Sequence, residues 1–242
     1  MTIEYAPGLT EDVFLPGDSG RVPIVVMVPG GSWMTADPTG LTGLAAHLAQ
    51  AGVVAAPAHI RAAQDGVRYP GPVQDVLCAV AAAVERLRAR GFIPGPVAVL
   101  GHSSGAQLAA LAVLAAGDQP PDCRWSAVAP DALIGLDGPY DISRVPELAA
   151  ALLGSSPDDD PSTWVSANPV ERADLRPDVP VLLIHGAADE TVPLAFTSQF
   201  ARALRTAGHP TTVQVVPGAD HHSIYQADVA GRRVVQWLRA LT

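Results

Sequence analysis

Charged side chains make up only 16% of this chain and aromatic ones only 5%, and just two cysteines occur in its 242 residues. Each scarcity excludes something. Fifteen basic residues face 24 acidic ones, for a net charge of −9, and they gather into no basic stripe. The electrostatic term that holds nucleic acid is therefore missing, and nucleic acid is excluded as a partner. Cys78 and Cys123 lie far apart and outside any C-x-x-C spacing. That argues against a disulfide scaffold and a thiolate metal site, so both read as buried small apolar residues. The start, Met1-Thr2-Ile3-Glu4-Tyr5, has neither a basic flank nor an apolar signal core, which makes the cytoplasm the expected location. One uncharged stretch, 91–117, approaches spanning length. Pro94, Gly95 and Pro96 interrupt it and His102-Ser103-Ser104 sit at its middle, so no membrane span is expected.

What remains is 48% hydrophobic, rich in Ala, Val and Leu, with 23 prolines. This is a globular composition of a length suited to one α/β domain over residues 1–242. Short β-rich runs alternate with helical patterns, the signature of a largely parallel sheet with helices on both faces. The expected strands are Val22–Val28, Val53–Ala58, Val97–Leu100, Ala132–Leu136, Val181–His185 and Thr212–Val216. Most are apolar throughout, as strands covered on both faces should be. Helical spacing links Val73, Val76, Leu77, Val80, Val84 and Leu87, then Phe196, Phe200 and Leu204, and a last helix is expected over 228–241. The segment 143–180 carries a breaker cluster, Gly154 to Pro161, between two short helical pieces, and reads as a small lid insertion or a plain surface excursion.

The informative motif is Gly101-His102-Ser103-Ser104-Gly105, which follows the run Val97-Ala98-Val99-Leu100 and opens the Ala/Leu-rich stretch 106–116. A serine at the tip of a tight strand-to-helix turn needs flanking glycines where a Cβ would collide with neighbouring backbone, and the turn exposes its Oγ. The free N–H groups of the following helix are aimed at charge developing nearby. Acyl transfer by serine also needs a base and an acid to orient that base. After Val181-Leu182-Leu183-Ile184-His185 comes Gly186-Ala187-Ala188-Asp189-Glu190, an acid beyond the C-terminal end of a strand. After Val213-Gln214-Val215-Val216 comes Pro217-Gly218-Ala219-Asp220-His221-His222, histidines beyond the next. The order Ser, Asp, His is that of α/β-hydrolases.

These motifs resemble the α/β-hydrolase superfamily, in particular its esterase/lipase and arylformamidase-like group, and the likeness runs from about Pro23 to the C-terminus. Val28-Pro29-Gly30-Gly31-Ser32-Trp33 resembles the group's His-Gly-Gly-x-Trp oxyanion loop, with Pro29 where histidine is usual. Arg68-Tyr69-Pro70 with Gln74-Asp75, Gly138-Pro139-Tyr140-Asp141, and His185 to Pro193 resemble three further segments. The resemblance implies an α/β-hydrolase fold with Ser103 as nucleophile, Asp189 as orienting acid and His221 as base. It also implies an oxyanion hole from the N–H of Ser104 with that of Gly31 or Ser32, and neither cofactor nor metal. His222 is the rival base and Glu190 the rival acid. His102 reads as a filler, His185 as a brace of the acid loop, Asp75 and Asp141 as pins of loops, and His47, His59 and His209 as bland.

A metal site from His185, Asp189, His221 and His222 would leave the serine turn unexplained and is set aside. Trp33, Tyr69, Tyr140, Trp164 and Tyr225 are candidates for pocket walls or for packing. The expected partner is a small-molecule ester, cleaved through an acyl-enzyme. An aryl formamide cleaved by the same residues, or a binding module on a hydrolase fold, are the alternatives. Natural substrate and oligomeric state are not legible.

Overall fold

The computed structural model describes residues 1–118 and 120–241. A two-stranded antiparallel hairpin, β1 (Thr2–Ala6) and β2 (Leu9–Asp12), precedes a six-stranded sheet. That sheet comprises β3 (Arg21–Val28), β4 (Val54–Pro57), β5 (Ile93–His102), β6 (Ala132–Leu136), β7 (Val181–Gly186) and β8 (Thr211–Val216). Its order is β4-β3-β5-β6-β7-β8, and every pairing is parallel. The helices are α1 (Thr42–Gln50), α2 (Gly71–Arg88), α3 (Ser104–Leu114), α4 (Pro146–Leu153), α5 (Pro161–Ser166), α6 (Leu194–Ala207) and α7 (Arg232–Arg239). No described helix is long and apolar enough to cross a membrane.

The apolar strands behave as two-faced objects. In β3, Ile24, Val26 and Val28 join one core with α2, α3 and Phe200 and Leu204 of α6. Val25 and Met27 point the other way, into a second core with α1 and α7. Alternation of successive side chains across a pleated strand produces this split, and helices on both faces explain why the run carries no polar half. All six expected sheet strands are present. The central strand extends beyond Val97–Leu100 to 93–102 because its early residues pair with β3 before pairing with β6 begins at Ala98. Pro94 and Pro96 are thereby kept on a strand segment with one partner, where a missing N–H is tolerated.

The amino-terminal segment is a structured cover that the motifs did not announce. Ile3 and Tyr5 are buried while Thr2 and Glu4 are exposed, a period-two pattern turned by Pro7-Gly8. The Tyr5 hydroxyl donates to the His59 carbonyl, and the Trp125 indole donates to the Tyr5 carbonyl. Antiparallel bridges from Glu11 to Ala58 and from Phe14 to Ala55 lay this segment along β4, closing an otherwise open sheet edge.

The cysteine expectation is corrected. Cys78 on α2 and Cys123 are joined by a disulfide, with Cα atoms 6.1 Å apart, within the range that a bridge requires. Cys78 is buried as expected, Cys123 is half-buried, and the two are partners. Spacing rules detect pairs that are close in sequence, whereas this one closes over 45 residues through the packing of the chain segment after α3 against α2.

Candidate functional site

Parallel strands all deliver their connections to one edge of the sheet, and the order reverses at β3, whose sequence neighbour β4 lies on one side and β5 on the other. The predicted residues converge there. Gly101 pairs with Val28, His102 with Leu136, and Gly186 with Val216, so β3, β5, β6, β7 and β8 end at a common level.

Ser103 sits at the turn between β5 and α3 with φ 53° and ψ −128°, a left-handed conformation that a side chain rarely adopts. A Cβ on Gly101 would lie 2.2 Å from the Gly105 carbonyl oxygen, and one on Gly105 would lie 2.3 Å from the Pro29 carbonyl oxygen. The two glycines thus let α3 start hard against β3. Ser103 Oγ lies 3.0 Å from His221 Nε2, and His221 Nδ1 lies 2.8 Å from Asp189 Oδ2. Burial pushes the Asp189 carboxyl up, but the Val192 N–H, the His221 imidazole and the Thr191 N–H together hold it below the usual carboxylate range. The N–H bonds measure 2.9 Å from Val192 and 2.7 Å from Thr191, both to Oδ1.

The rivals stand apart. His222 is exposed, its backbone N–H donating to Asp220 and its ring edge-on to that of His221. Glu190 is exposed. Asp75 forks onto Arg61 and Asp141 gathers Ser143, Asn168 and Gln199, which are the loop-pinning parts expected of them. His185 donates Nε2–H to the Val192 carbonyl at 3.0 Å and meets Thr197 Oγ1 at 2.9 Å, bracing the acid loop.

The loop after β3 lies against this group. Gly31 has φ 143°, and Ser32 and Trp33 follow at 53° and 60°. The N–H groups of Met34 and Thr35 donate back to the Gly31 carbonyl, fixing the turn. A Cβ on Gly30 would meet Ser103 Cβ at 2.9 Å, so loop and serine are in contact. Ser104 is the first residue of α3, and its N–H has no partner within the helix. The Trp33 indole donates to Gln107 Oε1 at 2.9 Å, and Gln107 Nε2 donates to the Ala167 carbonyl at 2.7 Å. Trp33 is therefore an anchor that ties the loop to α3 and to the 143–180 excursion.

Ser103 and His221 open into a cavity of about 330 Å³, with walls from Gly31, Ser32, Asp37, Thr191, His222 and Tyr225. Among the described residues none of 143–180 lines it. That excursion instead packs beside the serine turn, with the Ser166 carbonyl receiving Tyr69 and that of Tyr140 receiving the Val170 N–H. Of the aromatic candidates only Tyr225 walls the cavity; Tyr140 is buried and stacks on Phe200 at 4.4 Å.

Two residues gained more than the sequence suggested. His102 is buried, donates Nε2–H to the His221 carbonyl at 2.9 Å, and packs on Tyr225. Burial and the adjacent His221 push it down to about 3, so it stays neutral. Asp137, just beyond β6, is fully buried. The signal was available, since an acid after an apolar strand also marked Asp189. Asp137, His185 and Asp189 bring one donor atom each within 4.8 Å of one another. Gly186, Thr197, Val192 and His221 hydrogen-bond to these three residues, to Asp137 through Oδ1. Both nitrogens of His221 are occupied as well, Nδ1 by Asp189 and Nε2 by Ser103.

Comparison with known proteins follows the geometry. The chain is 28% identical to the esterase LipQ of Mycobacterium tuberculosis, over 97% of this chain and 59% of that protein. It spans a little over half the length of the curated relatives it matches. A truncated carbohydrate esterase from gut microbiota superposes with a TM-score of 0.83 at 21% identity, over 99% of this chain and 94% of that one. Propionate-bound Est2 of Thermogutta terrifontis, an esterase, superposes at 0.79 and 22% identity, over 99% and 92% of the two chains. The fold is thus that of α/β-hydrolase esterases. The model of the BD-FAE family matches residues 11–204, most of the chain and all of the strands from β3 to β7, and the protein belongs to that family.

Proposed function

We propose that the protein is a serine hydrolase of small carboxylic esters, acting through an acyl-enzyme on a single hydrolase domain. One observation carries this reading: Ser103, His221 and Asp189 form an unbroken hydrogen-bond chain of 3.0 and 2.8 Å that opens into the 330 Å³ cavity. His221 Nε2 takes the Ser103 proton as Oγ attacks the ester carbonyl. Asp189 holds the other ring nitrogen protonated and balances the imidazolium that forms. The developing oxyanion is met by the N–H of Ser104 and that of Gly31 or Ser32, each worth roughly 10²–10³ in rate. Collapse expels the alcohol with a proton from His221. Water then attacks the acyl carbon and gives its proton to the same nitrogen, and that proton passes to Ser103 Oγ as the bond to the acyl group breaks and the acid leaves.

The relatives' names support ester over aryl formamide cleavage, and no feature of the cavity favours the formamide. The intact hydrogen-bond chain speaks against a binding module. Pro29, its one sequence hint, leaves the turn at Gly31 and Ser32 formed and lining the cavity. Disulfides persist in oxidising surroundings, so the Cys78–Cys123 bridge argues for such a compartment over the cytoplasm.

The test is covalent labelling with a fluorophosphonate probe together with hydrolysis of p-nitrophenyl acetate, butyrate and decanoate beside N-formylkynurenine. Wild type should label, S103A should not, and S103A should lose more than about 10³ in kcat. The compact cavity should favour acetyl or butyryl over decanoyl. S103A retaining a tenth of the activity removes the serine mechanism, and a formamide turned over faster than every ester removes the esterase assignment.

A further inference from the structure

We propose that Asp137 carries a proton and donates a hydrogen bond from Oδ2 to the Asp189 carboxylate, acting as a positioning residue for the acid that orients His221. The inference rests on the serine-hydrolase reading above. Asp137 follows β6 in the left-handed region, φ 48°, and its side chain has no exposure. Oδ1 accepts the Gly186 N–H at 2.8 Å. Oδ2 is buried, and among the described residues no donor reaches it. A buried carboxyl oxygen without a donor is costly when ionised, and that cost vanishes if the oxygen itself bears the proton and finds an acceptor. The nearby acceptor is the Asp189 carboxylate, which has an oxygen within 4.8 Å of an Asp137 oxygen and a His185 nitrogen, and a side-chain hydrogen bond with Asp189 is among the interactions that raise the Asp137 carboxyl.

Two adjacent buried carboxyls do not both ionise, and the partners of each decide which keeps the proton. Asp189 receives the Thr191 and Val192 N–H groups on one oxygen and His221 on the other, three bonds that favour its charge. Asp137 receives one. His185 does not compete for the proton of Asp137. Its Nε2 must donate to the Val192 carbonyl, and its Nδ1 accepts from the Thr197 hydroxyl, so a neutral ring satisfies both. Nδ1 lies 3.2 Å from Asp137 Oδ1. Burial pushes His185 below its ordinary value. Burial pushes Asp137 the other way, up to about 8, with the charges of Asp189 and Asp220 adding to it and the Gly186 N–H opposing. The groups facing Asp137 are thus His185 from β7, Asp189 from the following loop, Asp220 from the loop after β8, and Tyr140 on its own loop. Loss of the proton would set a second negative charge beside Asp189, break the bond between them and release the acid from its place against His221.

The test compares wild type with D137A and D137N. Infrared difference spectra of wild type minus D137N, which need no substrate, should show the carbonyl stretch of a buried protonated acid at pH 7 and lose it as pH passes about 8. In pH profiles of p-nitrophenyl acetate hydrolysis, wild type should lose activity on the alkaline side through an ionisation near 8. D137A should lower kcat about tenfold with KM changed less than twofold, the scale of one hydrogen bond to a charged group. D137N presents its carbonyl to Gly186 and its N–H to Asp189 without being able to ionise. It should recover most of that loss and show no alkaline limb. Absence of the protonated-acid band overturns the proposal, as does an alkaline limb unchanged in D137N, or D137N as impaired as D137A while melting like wild type. If D137A does not fold, the spectra and D137N decide alone. Failure of fluorophosphonate labelling at Ser103 would instead indict the underlying hydrolase reading and leave the spectroscopic result standing.

Discussion

Gly105→Ala is a one-carbon test of how the site is assembled. Ser103 and the Gly30-Gly31 loop come from different strands, and their distance is set by how closely the start of α3 approaches the end of β3. The added methyl would lie 2.3 Å from the Pro29 carbonyl oxygen and 2.5 Å from that of Val28, both buried backbone atoms at the end of β3. No side-chain rotation relieves such a contact. Reaching ordinary van der Waals distance requires about 1 Å of separation between α3 and β3. The Ser103 to His221 hydrogen bond is 3.0 Å long and the loop touches Ser103, so a displacement of that size breaks the first and opens the second. A misplacement of about 1 Å in a reacting group costs on the order of 10² in rate, and overpacking of this kind costs about 1–3 kcal/mol of stability. G105A should therefore lose about 10² in kcat/KM for p-nitrophenyl acetate while still unfolding cooperatively. Gly43→Ala, on α1 with open space around its position, is the control, and it should keep full activity and be no less stable than wild type. G105A within threefold of wild type would refute the claim that this backbone contact sets the site.

Three further outcomes follow from the contacts described. His221→Ala should abolish turnover and His222→Ala should keep at least a third of it, measured on the same ester; the reverse would exchange their roles. Gln107→Ala strips the Trp33 indole and the Ala167 carbonyl of their shared partner, and should cost about 1–3 kcal/mol in urea unfolding together with a fall in kcat; an unchanged midpoint would deny the anchor. Asp137 should also shape stability against pH. Its folded value near 8 lies above its ordinary one, so between about pH 4 and 8 the native chain holds a proton that the unfolded chain has released, and stability falls as pH rises through that window. D137N lacks this dependence, so its melting temperature should gain on wild type from pH 5 to pH 8, and a constant difference would contradict the sign.

The sheet was legible because buried parallel strands write long apolar runs, and the meeting of Ser103, Asp189 and His221 because each follows such a run. What escaped obeys other physics. Thr2–Ala6 does alternate, but five residues of alternation beside a Pro-Gly turn compete poorly with the louder runs that follow. Helix α1 lacks a side-chain cap at its start and carries Gly43, which blurs its Leu44, Ala45, Leu48 and Ala49 face. Asp137 carries the same strand-end signal as Asp189, but what sets it apart is a buried oxygen without a donor, and a missing donor is a property of three-dimensional surroundings. His102 reads as a filler because nothing in sequence couples residue 102 to the carbonyl of residue 221.

The bridge between Cys78 and Cys123 makes a closed covalent ring of the chain between them, and that ring holds the last part of α2, the whole of β5, the serine turn and α3. Topologically, Ser103 is inside the loop while Asp189 and His221 are outside it, on the linear remainder. A protease that cuts the exposed link at Gly117-Asp118 opens the ring without parting the chain, for the two pieces stay joined through sulfur. The same cut after reduction yields two separable fragments, one ending just beyond Ser103 and its helix and the other carrying Asp189 and His221.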